Sequence, residues 1–137
     1  MRILAVDPGS KRHGIAISDP SGTIAGPLTV IKHVSRQADA AEIARLAETQ
    51  GAGRILVGQA LDEEGLPTFE GQRAARLADT IQSITALPVE LWDESFSTQE
   101  AQAARRAAGA SRRRRRGHQD ELAATIILQS YLDAKQN

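Results

Sequence analysis

Three acidic positions, far apart in the chain, are the residues whose chemistry has to be explained. Asp7 ends the apolar run Ile3-Leu4-Ala5-Val6 and precedes Pro8-Gly9. Asp93 and Glu94 end a second such run, Pro88–Trp92, and Asp120 stands just ahead of the stripe Ala123, Ile126, Ile127 and Tyr131. Carboxylates gathered at one point repel and drive up each other's pKa. Hard divalent cations remove that penalty, and oxygen-only ligands suit Mg2+ or Mn2+ over zinc. The chain has no cysteine, which excludes thiolate metal sites and disulfides. The chemistry open to such a cluster is in-line displacement at phosphorus.

The elements around these acids decide whether they can meet. Arg2–Asp7, Gly14–Ser18 and Leu28–Ile31 read as three strands separated by the breakers Pro8-Gly9 and Asp19-Pro20-Ser21-Gly22, an antiparallel meander. Ala38–Gln50 switches to helical period through Ala40, Ile43, Ala44 and Ala47, and Gly51 stops it. Arg54–Gly58 (RILVG) is the continuous apolar run of a strand buried on both faces. The acidic stretch 59–70 reads as a mobile loop, and a helix from about Gly71 to Ile84 carries Ala74, Leu77, Ala78 and Ile81. Pro88–Trp92 is the fifth strand. Ser97 with Glu100 fits a capping box opening a third helix, and a last helix begins near Gln119. Right-handed crossovers make strands 1, 4 and 5 parallel, with strands 2 and 3 antiparallel on one side.

That topology puts Asp7 and the Asp93-Glu94 pair on the carboxyl edge of the sheet, where open α/β sheets bind ligands. Positions 120, 123, 127 and 131 share one helical face, so Asp120 caps the sheet-facing side of the last helix. With strand 4 between strands 1 and 5, the backbones bearing Asp7 and Glu94 stand about 10 Å apart, two strand spacings. Two ions about 4 Å apart, met by the longer reach of a glutamate, would bridge that gap. This favours Glu94 over Asp93, although strand alternation points the two oppositely and leaves the choice open. Each acid also has an ordinary reading: Asp7 as a turn residue, Asp93 as a cap, and Asp120 as a helix N-terminal acid.

The net charge is zero, but the charges are segregated. Residues 36–100 carry five basic and twelve acidic side chains, whereas 101–118 hold seven arginines and no acid. Five of those seven are the run Arg112, Arg113, Arg114, Arg115 and Arg116, close before Asp120. Such a run is commonly a solvated segment. Beside an acidic edge it is also what a phosphodiester substrate requires, because backbone contacts supply most nucleic-acid affinity. Lys11 and Arg12, in the turn after Asp7, are further candidates for phosphate contact. His13 and His118 are isolated histidines with no assigned role, and Trp92 reads as packing beside strand 5. The 137 residues amount to one domain, 1–137. The first apolar run is broken by Asp7 too early for a signal peptide, and no run approaches the roughly 18 residues of a membrane span. A cytoplasmic protein is expected.

The stretches VDPGSKRHGIAISD, ILVG, LPVELWDESFSTQEA and DELAATIILQSYLD, in that order and over essentially the whole chain, resemble the YqgF-type pre-16S ribosomal RNA nucleases, also described as Holliday-junction-resolvase-like. The resemblance implies a ribonuclease H-like α/β fold: a five-stranded mixed sheet in the order 3-2-1-4-5, strand 2 antiparallel, with helices on both faces. It implies a divalent-metal nuclease that matures the 5′ end of small-subunit ribosomal RNA in the cytoplasm. The family's acids fall on Asp7, on Glu94 and on Asp120. The expected mechanism has Asp7 bridging two Mg2+ or Mn2+ ions, with Glu94 and Asp120 holding one each.

Departures from the family pattern bear on activity. An arginine and Leu-Thr-Thr usually follow the Asp-Glu pair, where this chain has Ser95-Phe96-Ser97-Thr98, and the loop after strand 4 is more acidic than usual. Related resolvases also carry acids at positions matching Gly58 or Gln59, and Gly117, so the cluster here is lean. The alternatives are resolution of branched DNA, which needs a homodimer where RNA cleavage permits a monomer, and a non-catalytic RNA-binding assembly factor. An actin-like or sugar-kinase ATPase shares the Asp-x-Gly opening but needs two lobes and fails on length.

Overall fold

The computed structural model describes residues 1–96 and 116–136, without the side chains of Phe96 and of residues 116–120. Five strands, β1 (Arg2–Asp7), β2 (Arg12–Ser18), β3 (Ala25–Lys32), β4 (Ala52–Gln59) and β5 (Val89–Asp93), form one sheet in the order β3-β2-β1-β4-β5. The β1–β2 and β2–β3 pairs are antiparallel, and β1–β4 and β4–β5 are parallel. The helices are α1 (Arg36–Thr49), α2 (Phe69–Gln82) and α3 (Arg116–Gln136), and a short 3-10 turn covers Glu94–Phe96. The expected order and strand directions are those observed. The capping box at Ser97 and Glu100, with its helix, lies outside the described residues, as do Arg112, Arg113, Arg114 and Arg115. Among the described residues no helix is long and apolar enough to cross a membrane.

Period-2 alternation along the strands divides the core into two layers. Leu4, Val6, Ile15, Ile55 and Val57 pack with Ile43 of α1 and Leu77 and Ile81 of α2. Ile3, Ala5, Ala16 and Leu56 pack with Ala124, Ile127, Leu128 and Tyr131 of α3. The small residues Ala5, Ala16 and Ala124 let α3 lie close on its face of the sheet. The buried stripe of α3 runs through Ala124, Ile127, Leu128, Tyr131 and Leu132, while Ala123 and Ile126 are only half-buried. The stripe is therefore rotated by about one residue from the sequence expectation, because several positions of this helix are apolar and period alone does not choose among them. Trp92 packs edge-on against Tyr131 and donates its indole N–H to Ser130 Oγ at 3.0 Å, the packing role expected.

Residues 60–68 are tied down, in contrast to the mobile loop expected. Asp62 Oδ1 accepts from the backbone of Glu64 and Leu66, both at 2.9 Å, and Thr68 N–H donates to Ala60 O at 3.0 Å. Thr68 then caps α2, accepting from Gly71 N–H at 3.1 Å. A Cβ at Gly71 would stand 2.1 Å from the Ala60 carbonyl oxygen, so only glycine lets α2 start against this loop. Gly71→Ala is expected to cost about 1–3 kcal/mol through forced backbone displacement. The check is the urea midpoint, with the slope unchanged.

Candidate active site

The parallel registers carry Asp7 and Glu94 to the same edge. Val6 pairs with Val57 and Gly58 with Trp92, so the row formed by Asp7, Gly58 and Trp92 crosses the sheet at its carboxyl end. Glu94 follows two residues after Trp92, in the 3-10 turn. Asp7 and Glu94 line one pocket together with Pro8, Gly58, Ala60, Glu70 and Ala74. Glu94 reaches back across β4: a Cβ at Gly58 would lie 3.3 Å from Glu94 Oε1 and 3.0 Å from Ile127 Cδ1. The missing side chain at Gly58 is the space into which Glu94 reaches. Asp93 is spent locally, its Oδ1 accepting from Ser95 N–H at 2.8 Å as a turn cap. The pocket thus receives Glu94 and not Asp93.

Helix α3 begins on this edge. Ile127 sits over Gly58, and further along the helix Tyr131 donates to Glu90 Oε1, near the amino end of β5, at 3.0 Å. Position 120 lies seven residues before Ile127 and shares a face with Ala124, Ile127 and Tyr131. The Asp120 side chain is outside the described residues. An oxygen-only pair facing one pocket fits a hard divalent cation, and among the described residues its lining holds no soft or imidazole ligand of the kind that selects zinc.

Of the expected cationic contacts, Lys11 is exposed and Arg12 half-buried at the start of β2. Arg116 opens α3, and its side chain too is outside the described residues.

The sequence reading left a buried polar cluster unassigned. Asp39, only 3% exposed, accepts at Oδ2 from His13 Nε2 at 2.7 Å and from His33 Nδ1 at 2.5 Å. Its Oδ1 accepts from Val34 N–H at 2.9 Å. Burial pushes the Asp39 carboxyl up, but the bonds from His33, the Val34 N–H and His13 outweigh it and hold the group below its ordinary value. The donor atoms of the three side chains lie within 4.8 Å of one another, the geometry of a possible metal-binding group. However, Gly9 N–H donates to His13 Nδ1 at 3.2 Å. That leaves Nε2 to carry the proton of the neutral ring, aimed at Asp39, so the cluster is closed by its own hydrogens. No spacing signal could have found it: His13, His33 and Asp39 come from β2, the β3–α1 link and α1.

Comparison with known proteins gives these features a context. Residues 1–134 match the sequence profile of the family described as RuvX, Holliday junction resolvase. A "Putative pre-16S rRNA nuclease" from Chloroflexus aurantiacus is 38% identical over 135 residues, covering 98% of this chain and 88% of the relative. A protein of the same description from Thermoanaerobacter pseudethanolicus is 40% identical over 138 residues, covering 100% and 99%. Among solved structures, T. thermophilus RuvC in complex with a Holliday junction substrate matches with a TM-score of 0.65 at 14% identity, over 99% of this chain and 96% of that one. Fowlpox virus resolvase in complex with junction DNA matches with a TM-score of 0.57 at 13% identity over the full length of both. At these identities the two structures establish the fold alone, a RuvC-like member of the ribonuclease H-like class.

The Asp39 cluster makes a prediction about stability. Asp39→Ala leaves two histidines and a backbone N–H facing an empty site and is expected to cost about 3 kcal/mol at neutral pH. The folded-state pKa of Asp39 lies below the unfolded one, so its contribution is complete above the ordinary value of 3.8 and is lost as pH falls below it. In urea titrations the stability gap between wild type and variant is expected to hold from pH 7 down to about 4 and to narrow as pH falls further.

Proposed function

Starting from a chain that belongs to the RuvX family and is a nuclease hydrolysing phosphodiester bonds, we propose that it cleaves precursor 16S ribosomal RNA near its 5′ end with the help of Mg2+ or Mn2+. The observation that carries the metal-dependent reading is the meeting of Asp7 and Glu94 in one pocket across Gly58. The RNA substrate rests on the description its relatives carry, and with it a cytoplasmic place of action.

In this reading Asp7, Glu94 and Asp120 would hold the cation. The bound cation would neutralise the carboxylates, polarise the scissile phosphate and activate the attacking water. The chain's own part is to keep these acids converged and to seat the phosphate beside them. Gly58 leaves the floor of the pocket open, and Pro8 stands at its rim. Lys11, Arg12 and the run Arg112–Arg116 contact the sugar-phosphate backbone, giving affinity without reading sequence. No side-chain base is required.

A second reading, resolution of four-way DNA junctions, is favoured by the description of the matching family. Both substrates belong in one assay: structured precursor RNA and a four-way junction, each with Mg2+, Mn2+ or chelator. Wild type is expected to cut the RNA only with metal. Asp7→Asn should lower the rate by on the order of 10²-fold or more, since several kcal/mol of transition-state stabilisation are withdrawn. Equal cleavage by the two proteins would take Asp7 out of the reaction, and cleavage of the junction alone would replace RNA by DNA. Gly58→Val, which fills the gap under Glu94, is expected to depress turnover more than Asp93→Asn, whose carboxylate only caps a turn.

A further inference from the structure

A second depression adjoins the carboxylate pocket on the α1/α2 face of the sheet. It is lined by the turn Pro8-Gly9-Ser10, by His13, His33 and Asp39, and by Arg36, Glu70, Arg73, Arg76 and Leu77. Pro8 and Glu70 line both depressions, so the two share a rim.

The charge of this cleft runs against that of its segment. Residues 36–100 hold five arginines among twelve acids. Arg45 is paired with Glu42, and Arg54 with Glu90 at 2.9 Å. The remaining three, Arg36, Arg73 and Arg76, all line the cleft. Among the described residues none of the three takes part in a salt bridge, although acids outnumber bases around them in sequence. Arg73 and Arg76 are three residues apart on α2 and so lie on one face.

The buried acid of the cleft forms no ion pair with these arginines. Both oxygens of Asp39 are occupied, by His13, His33 and the Val34 N–H. Of the lining acids only Glu70, exposed on the shared rim, is left to oppose three guanidiniums. Guanidinium forks and the Ser10 hydroxyl form a donor set suited to a phosphate group.

We propose that this cleft is a second phosphate subsite, which grips the nucleic-acid backbone beside the scissile phosphate through Arg36, Arg73 and Arg76. The proposal rests on the nuclease reading for the nature of its ligand. A strand crossing the Pro8 rim would place one phosphate by the carboxylates and its neighbour among the arginines.

The test is binding without turnover. Arg73→Gln/Arg76→Gln is introduced into the Asp7→Asn protein, and labelled precursor RNA is titrated by fluorescence anisotropy across a salt series, with Arg45→Gln as control. Both glutamines are good helix formers on accessible positions, and circular dichroism confirms the fold. Loss of two phosphate contacts is expected to weaken binding and to flatten the slope of log K against log salt by about 1.4 on single strands, 0.7 per contact, with the control unchanged. Parental affinity and slope in the double variant would overturn the subsite, whatever the cleavage assay gives. Flattening by that amount, in a protein whose Asp7 form cuts neither RNA nor junction, would sustain the subsite as a backbone-binding cleft and remove the nuclease reading instead.

Discussion

Two carboxylates brought to face one pocket repel each other, and the way this fold tolerates that repulsion organises the rest of its edge. Strand β4 stands between the strands that deliver Asp7 and Glu94, and a side chain at its end would keep them apart. Gly58 supplies none. Glu94 bends back over the bare backbone, and Ile127 closes the space from the α3 side. The two-sided burial of β1 and β4 then matters for more than stability. It fixes the register that sets Asp7, Gly58 and Trp92 in one row, and a slip of one residue would turn Asp7 toward the other face.

Much of this was legible in the sequence because it rests on period and punctuation. Alternating and continuous apolar runs gave five strands, breakers set their ends, and handedness left one arrangement of the parallel strands. The distance between Asp7 and Glu94 was harder. Strand spacing alone separated their backbones by about 10 Å, and nothing in the sequence marks Gly58 as the residue that lets a side chain cross that interval. The choice between Asp93 and Glu94 likewise turned on a local hydrogen bond, from Ser95 N–H to Asp93, that alternation rules do not anticipate. The face of α3 was displaced by one residue for the opposite reason, an excess of apolar positions.

The Asp39 cluster was illegible for a different cause. A histidine on β2, another beyond β3 and an aspartate in the first turn of α1 have no spacing relation, and each alone has a commonplace explanation. Their meaning lies in burial. An ionised carboxylate 3% exposed is costly unless its acceptors are filled, and three donors fill them here. The same logic ordered the loop after β4: acidic residues that read as solvated include Asp62, whose carboxylate ties the backbone into a turn.

The withdrawal of Asp39 also has an electrostatic consequence for the neighbouring cleft. A carboxylate facing Arg36, Arg73 and Arg76 would pair with them and lower their attraction for an incoming anion. Saturated from the protein side by two imidazoles and a backbone N–H, Asp39 forms no ion pair with these arginines. Guanidiniums left without salt bridges would repel one another if crowded, and their division between α1 and α2 limits that cost. What remains is a basic wall beside an acidic pocket with Pro8 between them. A polyanion sees attraction on one side of that ridge and, until a cation is bound, repulsion on the other. On the proposed reading, binding and catalysis would separate physically, because the arginine side would hold the strand with or without metal while the carboxylate side would admit a phosphate only when metal charge is present.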